Sequence, residues 1–251
     1  MATTTTTART LDVTPYLIVQ DAERLIDFVK DVFDAEELTR STGSQGGTHC
    51  EVRIAGMKVM IGGGLQVRGR EKPGALHVFV PNVDGMYRRA VRAGAKSLGE
   101  PRDQEYGARD AAVQDATGNH WYIATQKGEH YAPEGLPNVM PYFHPRGADQ
   151  LIAFMQKGLG AEVMERHDAG GLVAHAKVRL GTTVVELGEA HGQWRPMPMV
   201  MFVGVDDADA AFARALNAGA TALSKPADLP YGRSGAVEDP FGNQWYLTAA
   251  K

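Results

Sequence analysis

Apolar and polar residues recur along this chain in a pattern that runs through four times. Apolar residues over 13–19 predict a strand, and Ala22, Leu25, Ile26 and Val29 then recur at helical spacing over 21–33. Three alternating segments near 36–42, 48–54 and 57–62 read as strands. The order then restarts with strand 76–81, helix 83–93 closed by Gly94, and strands near 96–100, 109–114 and 119–125. The second half repeats both runs. Its first holds strand 138–144, helix 147–159 and strands 161–167, 172–180 and 183–188; its second holds strand 199–205, helix 207–218 and strands 221–225, 234–238 and 243–249. The chain reads as four βαβββ modules.

The two halves also match residue by residue. Pro15-Tyr16 returns as Pro141-Tyr142, and His49-x-x-Val52-Arg53 as His175-x-x-Val178-Arg179, at an offset of 126 (141 less 15). Ala93-Gly94-Ala95 returns as Ala218-Gly219-Ala220, and Tyr106-Gly107 as Tyr231-Gly232. Gly118-Asn119-x-Trp121-Tyr122 returns as Gly242-Asn243-x-Trp245-Tyr246. This is a duplicated domain, since a period of about 125 residues is too long for a solenoid repeat. The predicted copies span 11–125 and 137–249, and the Gly- and Pro-containing stretch 126–136 is the linker.

Composition narrows the function. A net charge of -4 argues against a nucleic-acid or anionic-membrane partner, and no apolar stretch is long enough to span a bilayer. The Thr-rich opening lacks the apolar core of a secretory signal, so a cytoplasmic protein is expected. The one cysteine, Cys50, sits among strand residues and reads as a buried structural thiol. There is no GxSxG elbow, no GxxxxGK[ST] and no CxxC, and Gly62-Gly63-Gly64 reads as a loop after a strand.

Strand parity separates core from cavity. Cys50, Val52 and Ile54 share one face; His49, Glu51 and Arg53 share the other. The same parity puts Met60, His77, Phe79, His120 and Tyr122 in a first cavity. It puts Tyr142, His144, His175, Lys177, Arg179, Glu186, Phe202, Gln244 and Tyr246 in a second, and sends Trp121 and Trp245 to the core. Trp194, in a polar loop near Met197, Met199 and Met201, is a ligand-contact candidate. The Tyr106 and Tyr231 loops, with Arg109 and Arg233, are candidate rims.

Paired βαβββ modules, Gly-Ala after the second helix, and Asp239-Pro240-Phe241-Gly242-x-x-Trp245 before the last strand resemble the glyoxalase / bleomycin-resistance / dioxygenase (vicinal oxygen chelate) superfamily. In the first copy the motif is reduced to Asp115-Ala116-Thr117-Gly118. The resemblance implies an α+β fold of two tandem domains, each of paired modules forming a cupped mixed sheet with helices outside. It leaves the activity open, because one fold hosts many sites. Metal-dependent members would place ligands at Thr14, Met60, about Ala75 and Tyr122, and at Met140, Glu186, about Val200 and Tyr246. Only Glu186 is an ordinary ligand for such an ion.

The expectation is therefore a small-molecule-binding protein without the usual divalent metal site or any cofactor, a monomer carrying its own pseudo-dimer. Its ligand-binding residues are His49, Met60, His77, Tyr122, His144, His175, Glu186, Trp194, Phe202 and Tyr246. The alternative is a lyase, isomerase or dioxygenase holding a divalent ion on the displaced set His144, His175 and Glu186; His49, Glu51, His77 and His120 form a second such set. A third reading is a metal-free enzyme with a cavity histidine as general base.

Overall fold

The computed structural model describes residues 8–43 and 46–251. The first module holds β1 (Thr10–Val19), α1 (Ala22–Phe33), β2 (Glu36–Thr42), β3 (Thr48–Ile54) and β4 (Met57–Gly63). The second holds β5 (Ala75–Phe79), α2 (Val83–Arg92), β6 (Lys96–Asp103), β7 (Ala108–Gln114) and β8 (His120–Gln126). The third holds β9 (Val139–Phe143), α3 (Ala148–Leu159), β10 (Glu162–Ala169), β11 (Leu172–Leu180) and β12 (Thr183–Leu187). The fourth holds β13 (Val200–Val205), α4 (Ala208–Asn217), β14 (Thr221–Leu229), β15 (Gly232–Glu238) and β16 (Gln244–Ala250). No helix of the described residues is long and apolar enough to cross a membrane.

The strands order into two eight-stranded mixed sheets, β14-β15-β16-β13-β1-β4-β3-β2 and β10-β11-β12-β9-β5-β8-β7-β6. Each module runs first, fourth, third, second strand. The first strand lies parallel to the fourth in β1–β4, β5–β8 and β13–β16, and the β2–β3–β4 and β6–β7–β8 pairs are antiparallel. Two compact units result: Pro15–Tyr142, and Phe143–Lys251 together with the described residues before Pro15. The divisions fall inside β1 and β9.

In Pro15–Tyr142 the core joins Leu25, Ile26 and Val29 of α1 to Val52, Ile54, Val59 and Ile61 of β3–β4, and to Trp121 and Ile123 of β8. In the other unit Leu151, Ile152 and Met155 of α3 pack with Val178, Val185, Met201, Trp245 and Leu247. Helices cover one face of each sheet because their apolar stripes match the alternate strand positions. Asp21, Asn82 and Asp207 cap α1, α2 and α4 through their own side chains. Gly147 has no side chain to cap α3, and Glu189 supplies a carboxylate to the amides of Gly147 and Ala148, both at 2.8 Å.

Several strands outrun the pattern that predicts them. The edge strands β6 and β14 extend to Asp103 and Leu229 although they are mostly exposed. Ladder bonds to β7 and β15 hold them, and exposed polar residues leave no alternation to read. Pro101 and Pro226 fall at register irregularities of these edges, where a missing amide costs least. The predicted loop at Gly62-Gly63-Gly64 is also corrected, since Gly62 and Gly63 close β4. At Gly63 (φ 154°) an added Cβ would lie 1.7 Å from the carbonyl oxygen of Val19.

Candidate functional site

The Asp-x-x-Gly-Asn-x-Trp turn leads into the last strand of each half and seats its tryptophan in the core. The Asp115 carboxylate accepts from the Trp121 indole nitrogen at 2.8 Å and from the amide and side chain of Asn119. Asn119 in turn accepts from the Gly74 amide, tying the turn to β5. Asp239, Trp245, Asn243 and Met199 repeat this arrangement. The amide of Thr117 bonds Asp115 as that of Phe241 bonds Asp239, so replacement of Pro-Phe by Ala-Thr leaves the turn intact. Burial pushes the Asp239 carboxyl up despite these bonds. Trp121 and Trp245 are fully buried, as their parity predicts, and so are Met199 and Met201.

On the inner face of β1, β3 and β4, the Tyr16 hydroxyl and His49 Nδ1 are 3.1 Å apart, with the rings edge to face. Gly62 admits the tyrosine, because an added Cβ would lie 2.3 Å from its hydroxyl. Met60 lies beside Tyr16 on one side and Glu51 on the other. Glu51 approaches Lys58 at 3.6 Å.

On β5, β8 and β9, His77 lies beside Tyr122 and packs on Phe79 with ring centres 4.4 Å apart. The rings of Tyr122 and Tyr142 meet at 5.1 Å across β5, whose Leu76 pairs with Pro141 of β9. Burial, and secondarily Tyr142, push the Tyr122 phenol well above its ordinary range. Burial also lowers the His120 pKa, and its imidazole lies 3.3 Å from the Gln114 amide nitrogen.

In the Phe143–Lys251 unit, Glu186 is 1% exposed and lies 3.5 Å from His175 Nε2. Lys177, its cross-strand neighbour, turns instead to Glu165 at 2.6 Å. His144 stacks on Trp194 with ring centres 6.0 Å apart and planes 10° from parallel. Phe202 lies beside Tyr246 and packs against Tyr231 at 6.3 Å.

These positions correct three readings. The parallel register sets Tyr16, His77 and Phe202 opposite Met60, Tyr122 and Tyr246, two residues beyond the expected Thr14, Ala75 and Val200. A shift of two keeps the face and changes the side chain, and helix matching does not fix where a strand enters its ladder. Second, the set of His49, Glu51, His77 and His120 is divided between the two sheets, with β3 in one and β5 and β8 in the other. His175 and Glu186 meet at 3.5 Å, and among the described residues no group of three or more His, Cys, Asp or Glu is placed to hold a metal. Third, Arg109 and Arg233 are not rim residues. Each binds a helix carboxylate, Asp84 or Asp209, from its own strand. Tyr16 was missed as a lining residue; its return as Tyr142 at the same offset was the signal available.

The residues at the family's ligand positions do not fit a four-ligand divalent site. Tyr16, Met60, Tyr122, Phe202 and Tyr246 offer phenol, thioether or nothing, which leaves His77 and Glu186 as the ordinary donors among these positions, and among the described residues no third His, Cys, Asp or Glu joins them in a metal-holding group.

The model of the Glyoxalase/Bleomycin resistance protein/Dioxygenase superfamily matches residues 9–123 and 146–247. The chain is 36% identical over 120 residues to the uncharacterized protein Rv0887c of Mycobacterium tuberculosis, covering 43% of this chain and 71% of that one. It resembles glyoxalase I from Zea mays with a TM-score of 0.73 at 18% identity, over 96% of this chain and 92% of that one. A putative dioxygenase from Bacillus subtilis gives 0.65 at 12% identity, over 96% and 86%. At such identities the likeness speaks for the fold alone. Matched by its family model over most of its length, with the module order and paired turns that the fold requires, this chain belongs to the Glyoxalase/Bleomycin resistance protein/Dioxygenase superfamily.

Proposed function

We propose that this chain binds a small, partly apolar molecule on its inner sheet faces without the divalent ion of its metal-dependent relatives. The observation that supports this reading is the wall of rings on β5, β8 and β9: His77 on Phe79, and Tyr122 against Tyr142. Aromatic rings carrying a few polar tips give a ligand both burial and orientation. A thermal-shift screen of small aromatic compounds on the full chain, with mass spectrometry of co-purified molecules, tests it. A saturable ligand whose affinity falls about tenfold or more in Tyr122→Ala supports the proposal, on the usual worth of a buried ring. Failure of every compound to shift the melting temperature, with nothing co-purified, counts against it.

One observation favours a second reading, in which the protein is a metal-free lyase or isomerase. A carboxylate as buried as Glu186 needs a partner, and its contact with His175 leaves an oriented imidazole. Turnover by metal-free protein, lost in both His175→Ala and Glu186→Gln, would establish it over simple binding.

A further inference from the structure

The inner face of β13, β15 and β16 lies entirely within the Phe143–Lys251 unit and differs from its counterpart in the first copy. Phe202, Tyr246 and Ala236 form one lateral row, and Gly204, Thr248 and Ser234 form the next. The second row is small: glycine, then a hydroxyl pair 2.8 Å apart. In the first copy the equivalent row is Phe79, Ala124 and Asp110, so a ring stands where Gly204 has no side chain. The hairpin tyrosines diverge as well. Tyr106 gives its hydroxyl to Asp110, whereas Tyr231, 55% exposed, folds its ring against Phe202. Phe202, Tyr246 and Tyr231 thus lie beside a row of small residues in the second copy, with the Phe202 and Tyr231 rings in contact.

A carboxylate reaches the same row. An added Cβ on Gly204 would lie 2.1 Å from Asp12 Oδ1, so the glycine seats that carboxylate on the inner face. Gly204 and Phe202 are two residues apart on one strand, which sets the carboxylate about 7 Å along the strand from the phenylalanine. The flanking arginines are engaged elsewhere, Arg9 by Asp206 and Arg233 by Asp209. Ring faces carry negative potential, and a cation held among them beside a carboxylate is attracted by both.

We propose that Phe202, Tyr231 and Tyr246, with Asp12, form a recognition site for an organic cation, an alkylated ammonium on a small apolar body. This rests on the reading that the inner faces bind small molecules, and it assigns the second-copy face a ligand class.

The test compares benzyltrimethylammonium with its uncharged isostere neopentylbenzene on the full chain, followed through the ring resonances of Tyr231 and Tyr246. The cation saturates these signals, and the isostere binds about tenfold or more weakly, as expected for a desolvated cation–ring contact. Phe202→Leu keeps apolar bulk but removes the ring, and Asp12→Asn keeps shape but removes charge; each weakens the cation severalfold and leaves the isostere unchanged. Equal affinity for the two compounds overturns the cation class while leaving small-molecule binding standing. Cation binding indifferent to both variants also overturns it. So does silence of Tyr231 toward both compounds, whatever ligand the Tyr122 face accepts.

Discussion

Single side chains carry much of this structure's specificity. Asp115 satisfies the Trp121 indole and the Asn119 amide in the turn of the first copy. Asp115→Ala strands these donors in a buried setting and should cost about 2–4 kcal/mol, given the penalty for each unsatisfied group. Urea unfolding with unchanged slope checks it. Tyr122 makes a pH prediction. Its phenol is raised in the folded state by burial, so the native protein keeps a proton that the unfolded chain releases above about 10. Stability from this group is present below that pH and is lost as pH rises past it. Tyr122→Phe should flatten the alkaline fall in melting temperature, and an unchanged profile would show that the ring is solvated. Gly62 is the third case. Gly62→Ala pushes the Tyr16 ring off the inner face, so the Tyr16–His49 bond should break while the backbone fold survives. The His49 imidazole chemical shifts report this directly.

Among the elements, β1 has two allegiances. Its residues from Pro15 onward run parallel to β4, whereas its opening residues dock on the β11–β12 turn. The Thr182 amide bonds the Leu11 carbonyl at 2.9 Å, and the Val13 amide bonds Thr183 Oγ1 at 2.9 Å. Gly181 makes the approach possible: it has φ 59°, and an added Cβ would lie 2.2 Å from the Leu11 carbonyl oxygen. Gly181→Ala meets both backbone strain and a backbone clash, and should destabilise the Phe143–Lys251 unit by about 1–3 kcal/mol. Hydrogen exchange should then accelerate at Leu11 and Val13 before it does in α1. The elements also show what pattern reading catches. The amphipathic helices and the central strands follow apolar spacing closely, because burial forces it. The ends of β6 and β14 do not, because ladder bonds ask nothing of side chains.

Across the whole molecule, duplication has been followed by divergence. Both copies keep the turn that seats Trp121 and Trp245 and the histidine pair His49 and His175. They differ in what meets the histidine: Tyr16 in the first copy, a buried Glu186 in the second. Protein purified without chelators is expected to carry divalent metal well below one ion per chain, by elemental analysis; a stoichiometric ion lost in His175→Ala would reverse the proposed function. The sequence alone determined the four modules, the duplication, the superfamily and the burial of Trp121 and Trp245, because strand parity and helix spacing are local periodicities that burial enforces. Only the tertiary structure decided which lining residues meet. Register along parallel strands moved the neighbours of Met60, Tyr122 and Tyr246 by two residues, and strand order separated His49 from His77. Contacts between strands distant in sequence depend on where each chain segment enters its sheet, and no local pattern records that.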